Sequence, residues 1–235
     1  MDNAILIASF VALPLGAGLW LRRREPDSDL VKLLLAFSGA FLLSVTVVHM
    51  LPELYGSGGE MIGVWVLAGF MLQVVLEFFS RGIEHGHVHA HKGGGHALPV
   101  GTLLSLCVHS FTEGMPFADP AVRANAPFVA GVLMHKAPMA IALATVLRRS
   151  GAAASAYWSM LVVFAAALPT GIAMGGLAGG RFGSGFLDAA LAVAIGMLLH
   201  ISTTIIFEST PDHRFNGRRF ITVLAGAALA FLSMH

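Results

Sequence analysis

The chain is 235 residues long, 56% hydrophobic and only 11% charged, with a mean hydropathy of +0.78. A soluble domain carries about a quarter charged residues, so this composition excludes a soluble globular fold and indicates an integral membrane protein. The formal net charge of +1 identifies no partner by itself, and no nucleic acid is expected.

A spanning helix needs about 20 apolar residues. Eight runs are candidates, at about 4–21, 30–55, 61–80, 97–118, 127–147, 153–178, 186–207 and 220–235. No run sustains the period-2 alternation of a barrel. The expected fold is therefore all-α, one transmembrane domain of eight helices over residues 1–235. The first run is followed by Arg22 to Arg24. A signal peptide carries its positive charge ahead of the apolar run, so this one reads as a span.

Between the third and fourth runs, at about 82–97, lies a glycine- and histidine-rich loop holding His85, His87, His89, His91 and His96. Alternating imidazoles on a flexible segment chelate borderline metals weakly. Metal buffering or sensing is expected of this loop, alongside the plainer alternative of a solvated linker. With the N-terminus outside, eleven of the fourteen Lys and Arg residues fall in inner loops, against Arg123 and Arg181 outside and Lys136 within a helix. The positive-inside rule then places both termini away from the cytoplasm, and a bacterial inner (plasma) membrane is the expected location.

The fourth run contains His109-Ser110-Phe111-Thr112-Glu113 and the fifth contains His135-Lys136-Ala137-Pro138-Met139. Residues four apart share a helix face, so His109 aligns with Glu113 and His135 with Met139. A carboxylate in hydrocarbon is costly without a partner, and intramembrane ionisable residues tend to mark ion paths. Together the four side chains form a candidate metal site. Pro116, Pro138 and Pro169 are expected to free the carbonyls of Thr112, Met134 and Ala165, one turn back. Discontinuous helices of this kind build ion sites in many transporters. The single cysteine, Cys107, excludes an internal disulfide and reads as a small core residue. Small residues are dense in the sixth run, between Gly171 and Gly180, and serve either close helix approach or sliding between bundles.

These motifs resemble those of the ZIP (Zrt/Irt-like protein) divalent-metal transporters. His109-Ser110-Phe111-Thr112-Glu113-Gly114 is similar to the family's fourth-helix pattern, and His135 and Pro138 match its fifth-helix pattern. His49-Met50-Leu51-Pro52-Glu53 resembles the His-x-x-Pro-Glu at the outer end of the second helix. The resemblance implies a 3+2+3 helix arrangement with inverted repeats. It also implies a principal metal site at His109, Glu113, His135 and the Met139 position. A second site would use Ser110, the Lys136 position and a sixth-helix glutamate before a proline. Here an ammonium and Leu168 stand in the last two places, so the second site is expected to be degenerate, with Lys136 filling it and pairing with Glu113. His49 and Glu53 are entrance candidates. Glu77, His200 and Glu208 are candidates for the exit, with capping or interfacial pairing as the alternative.

The expected function is movement of a divalent transition metal into the cytoplasm. Zinc is favoured and cadmium allowed, because a thioether at Met139 softens the site away from manganese. The metal is the substrate and no resident cofactor is expected. The other partners are the lipid bilayer and, as an open alternative, a second copy of the chain in a homodimer. Without an ATP-binding Gly-x-x-x-x-Gly-Lys motif, transport would run on gradients. The rivals are an intramembrane zinc hydrolase, which needs three ligands, an open position and a general base, and a non-transporting metal sensor.

Overall fold

A computed structural model describes residues 2–22, 24, 27–57, 59–80, 82–83, 99–208 and 216–233. Among the described residues every regular element is helical. The first apolar run forms α1 (Asn3–Leu21), and the second begins with α2 (Ser28–Val45). Asp27 caps α2, its carboxylate accepting from the Asp29 amide at 2.9 Å. The same rod widens into a π turn at Thr46–Met50 and continues as α3 (Leu51–Ser57). Pro52 accounts for the widening: it has no N–H, and its ring would press on the carbonyl one turn back.

The remaining elements are α4 (Ile62–Ser80), α5 (Val100–Gly114), the short α6 (Pro120–Ala124), α7 (Ala126–Arg149), α8 (Ala154–Phe182), α9 (Ser184–Glu208) and α10 (Gly217–Ser233). After α5 the chain tightens into a 3-10 turn at Met115–Ala118 around Pro116. Asp119 and Asn125 then cap α6 and α7 through their side-chain oxygens. Only Gly183, at φ +85°, separates α8 from α9. That left-handed backbone favours glycine and allows the chain to reverse within one residue.

Among the described residues, six helical stretches are long and apolar enough to cross a membrane: Asn3–Leu21, Ser28–Gly56, Ile62–Ser80, Ala126–Arg149, Ala154–Phe182 and Ser184–Phe207. The two other expected spans form helices shorter than any of these six. The run at 97–118 gives a 15-residue α5, cut by Pro116, and the run at 220–235 gives the 17-residue α10. Apolar side chains cover the exterior, as on α4, where Trp65, Leu67, Met71, Val75 and Phe78 are all exposed. The molecule is an all-helical, multi-pass integral membrane protein.

The most extensive packings pair α4 with α9, α2 with α10 and α5 with α8. Glycine permits the last of these. A Cβ at Gly114 would strike the Leu168 carbonyl, and one at Gly171 or Gly175 would strike the carbonyl of Phe111 or Met115. Two backbones therefore touch along two helical turns, the close-approach alternative for the small residues of the sixth run. Among the described residues the interior holds two large apolar clusters. One gathers Phe10, Phe41, Phe117, Phe128, Val132 and Leu168; the other gathers Leu106, Met139, Leu143, Leu161 and Phe164. Helices α7 and α8 each supply both clusters, while α5 supplies the second and Phe117, in the 3-10 turn after it, the first; between those contributions lie the polar residues of α5 and α7.

Candidate metal centre

The two sequence motifs meet in that polar layer. His109, Ser110 and Glu113 of α5 and His135, Lys136 and Met139 of α7 are all at most 2% exposed. The rings of His109 and His135 stand edge to face with centroids 6.0 Å apart. His109 Nε2 lies 3.9 Å from Glu113 Oε2, across one helical turn. Glu113 Oε1 is buried with no hydrogen-bond partner among the described residues.

Two imidazoles and a carboxylate form a borderline donor set suited to zinc. Among the described residues, no three His, Cys, Asp or Glu side chains converge closely enough to hold an ion where they lie. Two donors around tetrahedral zinc stand roughly 3.3 Å apart, so His109 and Glu113 would draw together slightly to close on one. Met139 belongs to the second apolar cluster, one turn from His135.

Next to this trio the chemistry changes. Lys136 Nζ donates to Ser110 Oγ at 2.7 Å and lies 4.8 Å from the centre of the Phe164 ring. The ammonium is close enough to attract the Glu113 carboxylate electrostatically, but its hydrogen bond goes to Ser110. The expected Lys136–Glu113 pairing is thus limited to that attraction, and Ser110 is the hydrogen-bond partner. A hydroxyl on the adjacent helix and an aromatic face stabilise the ammonium without neutralising it. Leu168, the residue before Pro169, is fully buried in the first apolar cluster.

The expectation for Pro116 is corrected as well. Thr112 does not keep a free carbonyl, because the Met115 N–H turns back to it as the helix tightens. Helices α7 and α8 run through Pro138 and Pro169 without a break, although neither proline has an N–H to give the carbonyl of Met134 or Ala165. Cys107 is partly buried against the second apolar cluster, in keeping with a packing role.

The outlying candidates fall into separate places. His49 Nε2 and Glu53 Oε2 lie 3.9 Å apart, well exposed, spanning the end of the π turn. His200 of α9 and Glu77 of α4 form a tight pair at 2.5 Å, with Phe70 edge-on to the imidazole. That pair bridges α9 and α4. Glu208 ends α9, and its side chain lies outside the described residues, as do His85, His87, His89, His91 and His96.

One site residue was not anticipated. Gln73 of α4 is fully buried, and its side-chain Oε1 is 3.0 Å from His109 Nδ1. The available signal was an amide inside an otherwise apolar run, four residues before Glu77 on the same face. Phe164, beneath Lys136, carries no such signal in an apolar sequence.

Comparison with known proteins bears on the same helices. Residues 97–234 match the family described as ZIP Zinc transporter. These residues span α5 to α10 and so include both motifs. The chain is also 28% identical to Zinc transporter ZIP13 of Bos taurus, over 73% of this chain and 50% of that protein. The chain thus spans about half the length of that curated relative.

Proposed function

The chain belongs to the ZIP zinc transporter family, and from that premise we propose that it carries a divalent transition metal, zinc first, into the cytoplasm. Family members are transporters and not enzymes, so the intramembrane hydrolase is set aside. The observation that carries the proposal is the buried layer in which α5 and α7 bring His109, Glu113 and His135 together. A desolvated carboxylate oxygen beside two imidazoles favours a dication strongly over an empty hydrocarbon layer. Apolar clusters on both sides keep the layer from opening to both surfaces at once, as alternating access requires.

Helix packing supports the inverted repeats implied by the resemblance. Exchanging α1, α2, α4 and α5 with α8, α9, α10 and α7 turns the α4–α9 pair into α10–α2. The same exchange turns the α5–α8 pair into α7–α1, and all four pairings are present. On this reading α5 and α10, though short, complete an eight-span domain, and both termini face away from the cytoplasm under the positive-inside rule. The principal site binds one ion at a time, because Lys136 and Leu168 stand where a second would sit.

Purified protein in liposomes loaded with a zinc-sensitive dye tests the proposal. Saturable dye response to external zinc is expected, with cadmium competing better than manganese. Stoichiometric zinc binding without flux would instead identify a metal sensor.

A further inference from the structure

We propose that Gln73 is a positioning residue that sets the tautomer of His109 and so aims its Nε2 lone pair at the transported cation. The proposal rests on the principal-site reading above. It starts from an oddity of α4, a helix whose exterior is apolar but which buries one amide completely. Ser105 Oγ donates to the Leu76 carbonyl at 2.7 Å and fixes the register between α4 and α5. One turn further along α5, that register brings His109 opposite Gln73. Glu77, the carboxylate next on the same face, is engaged by His200, which leaves the amide as the α4 group that meets His109.

The tautomer follows from donor and acceptor inventories. A neutral imidazole has one N–H and one lone pair, and an amide oxygen can only accept. With Gln73 Oε1 at 3.0 Å, Nδ1 carries the proton. Nε2 then keeps its lone pair on the side where Glu113 Oε2 lies at 3.9 Å. Metal-binding histidines commonly donate their second nitrogen to an oxygen, which fixes ring orientation and ligand strength. A carboxylate in that role would add buried negative charge and hold a dication more tightly. An amide orients the ring without that charge, which suits a site that must release its ion.

The test uses the full chain, labelled with 15N-histidine, metal-free in nanodiscs at alkaline pH. His109 resonances are assigned by difference from His109→Ala. The expected wild-type signature is protonation at Nδ1. Gln73→Met, similar in length but unable to accept, should mix the tautomers and weaken zinc binding about tenfold. Gln73→Glu should restore the Nδ1–H form. A wild-type His109 protonated at Nε2 would overturn the proposal, as would a Gln73→Met protein matching wild type in both tautomer and zinc affinity. If Gln73→Met fails to insert, the wild-type spectrum alone decides. Failure of the parent reading is separately visible, because His109→Ala would then bind zinc as wild type does, whichever nitrogen carries the proton.

Discussion

On one side of the α5–α7 pair, His109 Nε2 stands 3.9 Å from Glu113 Oε2, slightly wider than two donors on one zinc ion, and the His135 ring centre lies 6.0 Å from that of His109. On the other side, one residue further along each helix, Ser110 and Lys136 complete each other with a 2.7 Å hydrogen bond. Both regions are buried to the same degree and framed by the same apolar clusters. The difference lies in where the positive charge comes from. The Lys136 side is closed by a cation that is part of the chain, whereas the Glu113 side keeps a carboxylate oxygen without a partner among the described residues. A buried anion with an unfilled oxygen is a site for a mobile cation; a hydroxyl already holding an ammonium is not.

The most severe way to break this contrast is to remove the open side's donors. Glu113→Gln keeps the shape but loses the charge, and His109→Ala removes an imidazole. Either variant should take zinc uptake to the background of empty liposomes while the protein still inserts. Near-normal uptake by either one would place the ion elsewhere. Protons compete with the metal for the imidazole lone pairs, so zinc affinity should fall as pH drops through the ordinary histidine range near 6.5. A flat affinity between pH 5 and 7.5 would argue against histidine ligation.

Opening the closed side is the next test. Lys136→Asp removes the internal cation and supplies a carboxylate next to Ser110. Bound zinc, measured by elemental analysis after equilibrium dialysis, should rise from one ion per chain toward two. The second ion should be the weaker, because Leu168 still contributes no ligand. Two ions of similar affinity in the wild type would remove the distinction between the two sides altogether.

Met139 sharpens the comparison at smaller cost. It sits one turn from His135, within the apolar cluster, so it is either a soft ligand or a packing group. Met139→Glu should widen the preference toward manganese or iron if the position ligates. Met139→Leu conserves volume, and as a packing change should cost less than about 1.5 kcal/mol. Competition among zinc, cadmium and manganese that is unchanged in Met139→Glu would assign the residue to packing alone.

The two regions were unequally legible in the amino-acid sequence. The i, i+4 spacing of His109 and Glu113, and the pairing of that motif with His135, were sufficient to expect a buried cluster, because helical periodicity dictates which side chains share a face. The partner of Lys136 was not, since Ser110 and Glu113 both face it and only the packing of α5 on α7 selects between them. Gln73 was missed because its role depends on a cross-helix register held by the Ser105 hydroxyl on the Leu76 carbonyl, which no local pattern encodes. Pro116 was read as freeing the Thr112 carbonyl, but a 3-10 turn supplies a new donor from Met115. Runs of apolar residues located the helices well and their ends less well, because hydropathy continues past Pro116 where the α-helical hydrogen bonding does not.

The smallest effect on uptake is expected from the histidine-rich loop. His85, His87, His89, His91 and His96 lie outside the described residues, and their alternate spacing is that of weak, exchangeable chelation rather than of a closed ligand set. Replacing all five with Ser should abolish low-affinity zinc binding by the loop. Uptake in liposomes should stay within about twofold of wild type, the range of substitutions remote from core and ligands. Isothermal titration with zinc and dye-based flux on the same preparation separate these two quantities. Loss of flux together with loss of the weak binding phase would make the loop part of the ion's path, and the α5–α7 layer would then be only one station along it.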